Sequence, residues 1–117
     1  MKKFDKLKLQ VKDHLDQNEE MVATVFGTYK STTLGEKTLR NGIFVATNKR
    51  VVFYGKRTFG YDLETLPYKK ISSIDAGKKL TGHTITFYTS GNKASMSMIN
   101  TGDIQEFLSY TRNAIEA

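Results

Sequence analysis

Four short patterns carry side chains that could do chemistry. The run GKKLTGHT, residues 77–84, has the GxxxxG spacing of a phosphate-cradling loop and ends on Thr84, where such a loop carries Ser or Thr. His83, however, occupies the position that needs a lysine. The HTITFYT that follows reads as a strand, so no helix N-terminus arrives to aim amide groups at a phosphate. Nucleotide binding is therefore not expected. His14 and His83 are the only histidines, far apart and without carboxylates at ligand spacing, and there is no cysteine. Cys-ligated zinc, disulfides and thiolate chemistry drop out with the missing cysteine, and a metal site would have to be assembled from scattered residues. Asp75, between Ile74 and Ala76, reads as a strand-end or turn carboxylate rather than a base. Ser90 and Lys93 spell a serine–lysine pair, but in a hairpin loop with no oxyanion element beside it. The expectation is a protein that is not an enzyme and holds no metal or cofactor.

What remains is charge. Eighteen Lys/Arg against twelve Asp/Glu leave a net +6, which favours an acidic lipid surface, nucleic acid or an acidic protein; solubility alone would account for the same excess. Tyr29, Tyr54, Phe59 and Tyr61 lie near basic residues and could stack on bases, yet no nucleic-acid motif accompanies them, and nucleic acid is not the expected partner. The start, MKKFDKLKLQVKDHL, is positive like a secretory signal, but charges recur every two or three residues and leave no apolar segment. No window approaches the roughly 20 apolar residues of a spanning helix. The expected setting is the cytoplasm, at most peripheral to the inner face of the membrane.

The elements that must position these residues are legible from periodicity. One domain fits 117 residues. Over residues 2–16, Phe4, Leu7, Val11 and Leu15 fall on one narrow stripe at helical spacing, with Leu9 off it. An N-terminal amphipathic helix is expected over 1–18, and a β-rich domain over 19–117. Seven short segments follow, MVATVFGTY, GIFVAT, RVVFYG, FGYDL, ISSIDA, HTITFYT and KASMSM, rich in β-branched and aromatic residues and separated by turn chemistry. HTITFYT and KASMSM alternate cleanly, as strands with one wet face do, and Met96 and Met98 read as core filling on one face. Pro67 is expected between strands. After Asn100 the period turns helical, with Ile104, Phe107, Leu108, Thr111 and Ile115 on one face and Asn100 or Thr101 as N-cap. With no helices between them, neighbouring strands should pair antiparallel.

The run GIFVATNKRVVFYG and the later LPYKKISSIDAGKKLTGHTITFYT resemble the bacterial pleckstrin-homology-like family, in particular its YokE-like members, and in outline GRAM domains. The shared pattern is an apolar strand ending in Thr47-Asn48-Lys49-Arg50, a second apolar strand, then Pro67-Tyr68 with Ile71 and Ile74. The resemblance covers residues 20–115 and implies a mainly β (α+β) fold: a seven-stranded, bent antiparallel barrel with a C-terminal helix capping one end. Thr47–Arg50 would then form the turn between the second and third strands, a structural role suited to Asn48. The resemblance also implies that the loops after the first, third and sixth strands gather opposite the helix. Those loops hold Lys30, Lys37, Arg40, Lys56, Arg57 and Lys93, the candidate ligand- or lipid-binding residues, with Glu36 opposing them. Lipid-binding members of the wider superfamily use a Lys…Lys/Arg-x-Arg pattern there; Lys37-Thr-Leu-Arg40 is one residue too wide for it. A looser attraction to anionic lipids, up to about 1 kcal/mol per basic residue, is the expectation that remains. Lys49/Arg50, Lys69/Lys70 and Lys78/Lys79 should sit towards the helix-capped end. The competing expectation is a protein-interaction or self-association module, including a homo-oligomer, that uses strand edges or the stripe of Phe4, Leu7, Val11 and Leu15.

Overall fold

The computed structural model describes residues 2–31 and 40–117. In chain order it has α1 (Lys3–Val11), a 3-10 turn (Lys12–His14), β1 (Met21–Ser31), β2 (Arg40–Thr47), β3 (Arg50–Lys56), β4 (Tyr61–Pro67), a second 3-10 turn (Tyr68–Lys70), β5 (Ile71–Lys79), β6 (Gly82–Thr89), β7 (Asn92–Gly102) and α2 (Ile104–Glu116). The seven strands form one antiparallel sheet in the order β4-β3-β2-β1-β7-β6-β5. Its two end strands, β4 and β5, follow each other in the chain across the three-residue turn. The sheet therefore bends round until its ends approach without a ladder joining them among the described residues.

Burial explains why the strands read so differently. On the concave side, Val25, Tyr29, Phe44, Phe53, Ile85, Phe87, Met96 and Ile99 meet Phe107 and Leu108 of α2. On the convex side of β2 and β3, Ile43, Val45, Val52 and Tyr54 meet Leu7 and Val11 of α1. Strands buried on both faces need apolar residues at every position, which is why β2 and β3 carry the unbroken runs IFVA and VVFY. β6 and β7 are covered on one face only and alternate: Ile85 and Phe87 are buried, while Thr84, Thr86 and Tyr88 are partly exposed. The N-terminal stripe thus packs on its own sheet. Leu7 and Val11 are fully buried, and Phe4 and Leu15 pack beside them. Burial of Leu7 and Val11 is worth roughly 1.5–3 kcal/mol each before entropy.

Several sequence expectations shift locally. α1 stops at Val11 and tightens into the 3-10 turn instead of running to residue 18. β4 begins at Tyr61 rather than Phe59, and Pro67 is its last residue, paired with Arg50. β4 is an end strand, so the missing N–H does no harm. β7 continues to Gly102, and the N-cap of α2 is Asp103 rather than Asn100 or Thr101. Met96 is buried, but Met98 leaves the core face: its φ is +54°, it is 46% exposed, and Ile99 turns inward in its place.

The Thr47–Arg50 turn is a hydrogen-bonded knot. The Thr47 hydroxyl accepts from the amides of Lys49 and Arg50 and donates to Glu19 Oε2 at 2.6 Å. Asn48 Oδ1 accepts from the Glu20 amide at 2.9 Å, and Asn48 Nδ2 donates to the Asn18 carbonyl. Arg50 grips Glu19 with two nitrogens, each at 3.0 Å, and the Glu19 side chain is wholly buried. Tyr68 donates its hydroxyl to the Thr47 carbonyl at 2.7 Å, and burial pushes that hydroxyl's pKa far up. Residues 14–20, the turn and the corner before β5 are so fastened together.

A second close approach sets α2. The Asp103 amide donates to the Thr24 carbonyl at 3.0 Å, and this requires Gly102, at φ +115°. A Cβ there would collide with the Thr24 carbonyl and lie 2.7 Å from Val25 Cα. Gly102→Ala is expected to lower stability by about 1–3 kcal/mol, read as an earlier midpoint in urea unfolding; an unchanged midpoint would mean that α2 is seated by its side chains alone.

Candidate functional site

Antiparallel alternation places the end of β1, the start of β2, the β3–β4 turn (57–60) and the β6–β7 turn (90–91) along one edge of the sheet. The β2–β3 and β5–β6 turns fall on the other. Five of the six candidate basic residues are described, and all five lie at this first edge; Lys37 lies outside the described residues. The pleat sorts them. Arg40 shares the concave side with Phe44, whereas Lys30, Lys56 and Lys93 alternate with inward-facing Tyr29, Gly55 and Ala94 and stand exposed on the outer side.

Acidic residues at the mouth of the concave side sort them further. Arg40 is ion-paired with Asp62, which is only 8% exposed, and Arg57 reaches the other oxygen of Asp62 at 3.5 Å. Beside them, buried Tyr29 donates its hydroxyl to Glu64 and stacks on Phe53 with ring centroids 3.6 Å apart. Asp62 and Glu64 are acidic neighbours of the candidate residues that sequence reasoning missed. The signal was available, because in YDLETLP they share parity with Leu66, a core residue. Arg40 is consequently held by the fold, and Arg57, 55% exposed, is held in part. None of Lys30, Lys56 and Lys93 takes part in an ion pair among the described residues.

Lys93 also lines a cleft of about 190 Å³ between the two ends of the bent sheet, with Glu64–Pro67 and Lys70 on one side and Thr89, Asn92 and Ala94 on the other. Lys70, expected towards the helix-capped end, instead joins Lys93, because the 3-10 corner swings β5 round to meet the β6–β7 turn: Ile71 pairs with Thr89. Next to the β3–β4 turn, the His14 ring lies 4.3 Å from Tyr61 and 5.3 Å from Tyr54. Burial, then the neighbouring Tyr61 and Asp13, push the Tyr54 hydroxyl pKa up, so this group stays neutral near pH 7 and adds no charge to the edge. Among the described residues no group of three or more His, Asp or Glu could hold a metal ion, and no helix is long and apolar enough to cross a membrane.

This bent sheet with one capping helix is matched by solved structures. A DUF1696 family protein with a pleckstrin-homology domain from Shewanella loihica superposes with a TM-score of 0.64 at 17% identity, over 97% of this chain and 94% of that one. A pleckstrin-homology domain from Shewanella amazonensis does so with a TM-score of 0.58 at 20% identity, over 97% of this chain and 99% of that one. No curated protein matches the sequence. The bacterial PH domain family matches residues 15–113, all of the chain from the end of the 3-10 turn after α1 to near the end of α2. The chain belongs to the bacterial PH domain family.

Proposed function

We propose that this PH domain is a non-catalytic binding module that docks on anionic lipid headgroups through the outer side of its loop-bearing edge. The observation that carries the reading is the sorting of charge there: Arg40 is neutralised by Asp62, whereas Lys30, Lys56 and Lys93 project without an ionic partner among the described residues. Lysine ammoniums on flexible stems suit a fluid, variable array of phosphates better than a single rigid ligand. With Arg57 as a fourth, partly compensated cation, the edge offers at most about 4 kcal/mol at an anionic surface. That is weak, salt-sensitive docking.

The test separates docking from folding. Lys30→Glu/Lys56→Glu/Lys93→Glu is expected to abolish co-sedimentation with phosphatidylglycerol-rich vesicles while leaving the unfolding midpoint near that of the wild type, since none of the three is buried. Binding that survives this variant would remove the edge from the account.

A second reading, association with a protein or another copy, rests on the end strand β5. From Ser72 to Lys79 every residue but Ile74 is exposed, without a proline, and one side of its backbone is unpaired among the described residues. A change in sedimentation coefficient with protein concentration would support it.

A further inference from the structure

Phe59 has no structural work to do. It sits at the tip of the β3–β4 turn and is 91% exposed. The turn beneath it is well fastened. Lys56 pairs with Tyr61, the Arg57 amide donates to the Gly60 carbonyl at 3.0 Å, and Gly60 takes a φ of +88° that closes the reversal. Arg57 is tied to Asp62, which also holds Arg40, and Tyr61 packs on the His14 ring. Single exposed apolar side chains are common and need no explanation by themselves. This one, however, is presented on a braced tip, with Lys56 and Arg57 in the same turn and with Lys30 and Lys93 on the same edge of the sheet. An aromatic ring projecting beyond a row of cations has the chemistry of a wedge for an anionic bilayer: the ammoniums meet phosphates while the ring enters the headgroup–acyl boundary.

We infer that Phe59 inserts into the lipid interface when the domain docks, supplying an apolar, salt-resistant part of the attachment. This deepens the proposed lipid-docking role and rests on it. Leu80 provides an internal comparison. It is also highly exposed at a turn tip and also follows a basic pair, Lys78 and Lys79, as Phe59 follows Lys56 and Arg57, but the β5–β6 turn lies on the opposite edge. Insertion assigns Phe59 to the membrane and leaves Leu80 in water.

The chain contains no tryptophan, so Phe59→Trp and Leu80→Trp each introduce a single tryptophan, excited selectively over the tyrosines, at a solvent-exposed turn. With phosphatidylglycerol-rich vesicles, Phe59→Trp should co-sediment, shift its emission to the blue and be quenched by brominated acyl chains, while Leu80→Trp co-sediments with unchanged emission. Phe59→Ser should weaken partitioning about tenfold, the effect of withholding part of a phenyl ring from an apolar phase, at an unchanged melting temperature. Co-sedimentation of Phe59→Trp without a blue shift, as for a tip that stays in water above the headgroups, would overturn insertion and leave docking standing. So would a Phe59→Ser variant that partitions like the wild type. Failure of the wild type to sediment with any anionic vesicle would overturn both.

Discussion

Arg50→Ala is expected to lower stability by about 3 kcal/mol at neutral pH, the low end of the range for breaking a buried ion pair, because 19% of the Arg50 side chain is exposed to water. The loss comes less from the missing attraction than from what stays behind. The Glu19 side chain is wholly buried and would keep only the Thr47 hydroxyl and the Asp16 amide as donors. The pH dependence identifies this cause. In the wild type, burial by itself would raise the Glu19 pKa, but the bonds from Arg50, Thr47 and Asp16 outweigh it and hold the carboxyl below its ordinary value. A depressed folded-state pKa stabilises the fold above the unfolded value, about 4.3, and that contribution is lost as pH falls through the folded value. Without Arg50 the largest lowering influence is gone and burial is opposed only by the Thr47 and Asp16 bonds, so the Glu19 pKa rises and the variant should lose least where Glu19 is protonated. Urea unfolding at pH 7 and in mild acid should show the gap between wild type and Arg50→Ala narrowing as pH falls. A gap independent of pH would mean that Arg50 acts through the packing of its stem.

Phe107→Ala is expected to lower stability by about 3–5 kcal/mol, the range for deleting a buried ring. Phe107 is fully buried and anchors α2 between two rings of the sheet. It is stacked on Phe44 with centroids 6.0 Å apart and edge-on to Phe87 at 6.1 Å. Phe44 in turn touches Tyr29, Phe53 and Phe87, so the cavity would open at the centre of the aromatic cluster. Collapse into it is restricted, because Gly42, in the same row of β2, already lets the backbone of Tyr54 and the ring of Phe53 come close; a Cβ there would stand 2.5 Å and 2.6 Å from them. Thermal unfolding of Phe107→Ala beside Phe107→Leu checks the magnitude. A loss under 1 kcal/mol would mean that α2 is a loose cover rather than part of the core.

Much of this was legible in the sequence, and the reasons are particular. The alternation in HTITFYT marked a sheet with one wet face, and the helical stripe around Phe107 marked its lid. The unbroken runs IFVA and VVFY bear the pattern of strands covered on both faces, a signal that sequence reasoning passed over; the N-terminal stripe by itself left its own barrel and a sister subunit equally open as its cover. The reversal at Met98 was not legible, because a positive φ at methionine is imposed by the bend of β7 and not by residue preference. Pairings that depend on register across long separations were hidden as well. Glu19 meets Arg50 only once the turn of β2 into β3 is folded back on residues 14–20, and Asp62 meets Arg40 only across β2–β3–β4. Counting Lys and Arg along the rim therefore overstated the charge free for a partner. Lys70 moved to the cleft with Lys93 for the same kind of reason, a corner whose direction the local sequence does not encode.

The central claim is that the exposed lysines of one sheet edge attach the domain to anionic lipid. Its most direct test is co-sedimentation of the wild-type protein with phosphatidylglycerol-rich and with purely zwitterionic vesicles at about 50 and about 300 mM salt, a span that strongly shortens the screening length. The account predicts binding to the acidic vesicles alone, most of it lost at the higher salt, with only the smaller contribution assigned to Phe59 surviving. No binding to acidic vesicles at low salt, or equal binding to both kinds, would contradict it.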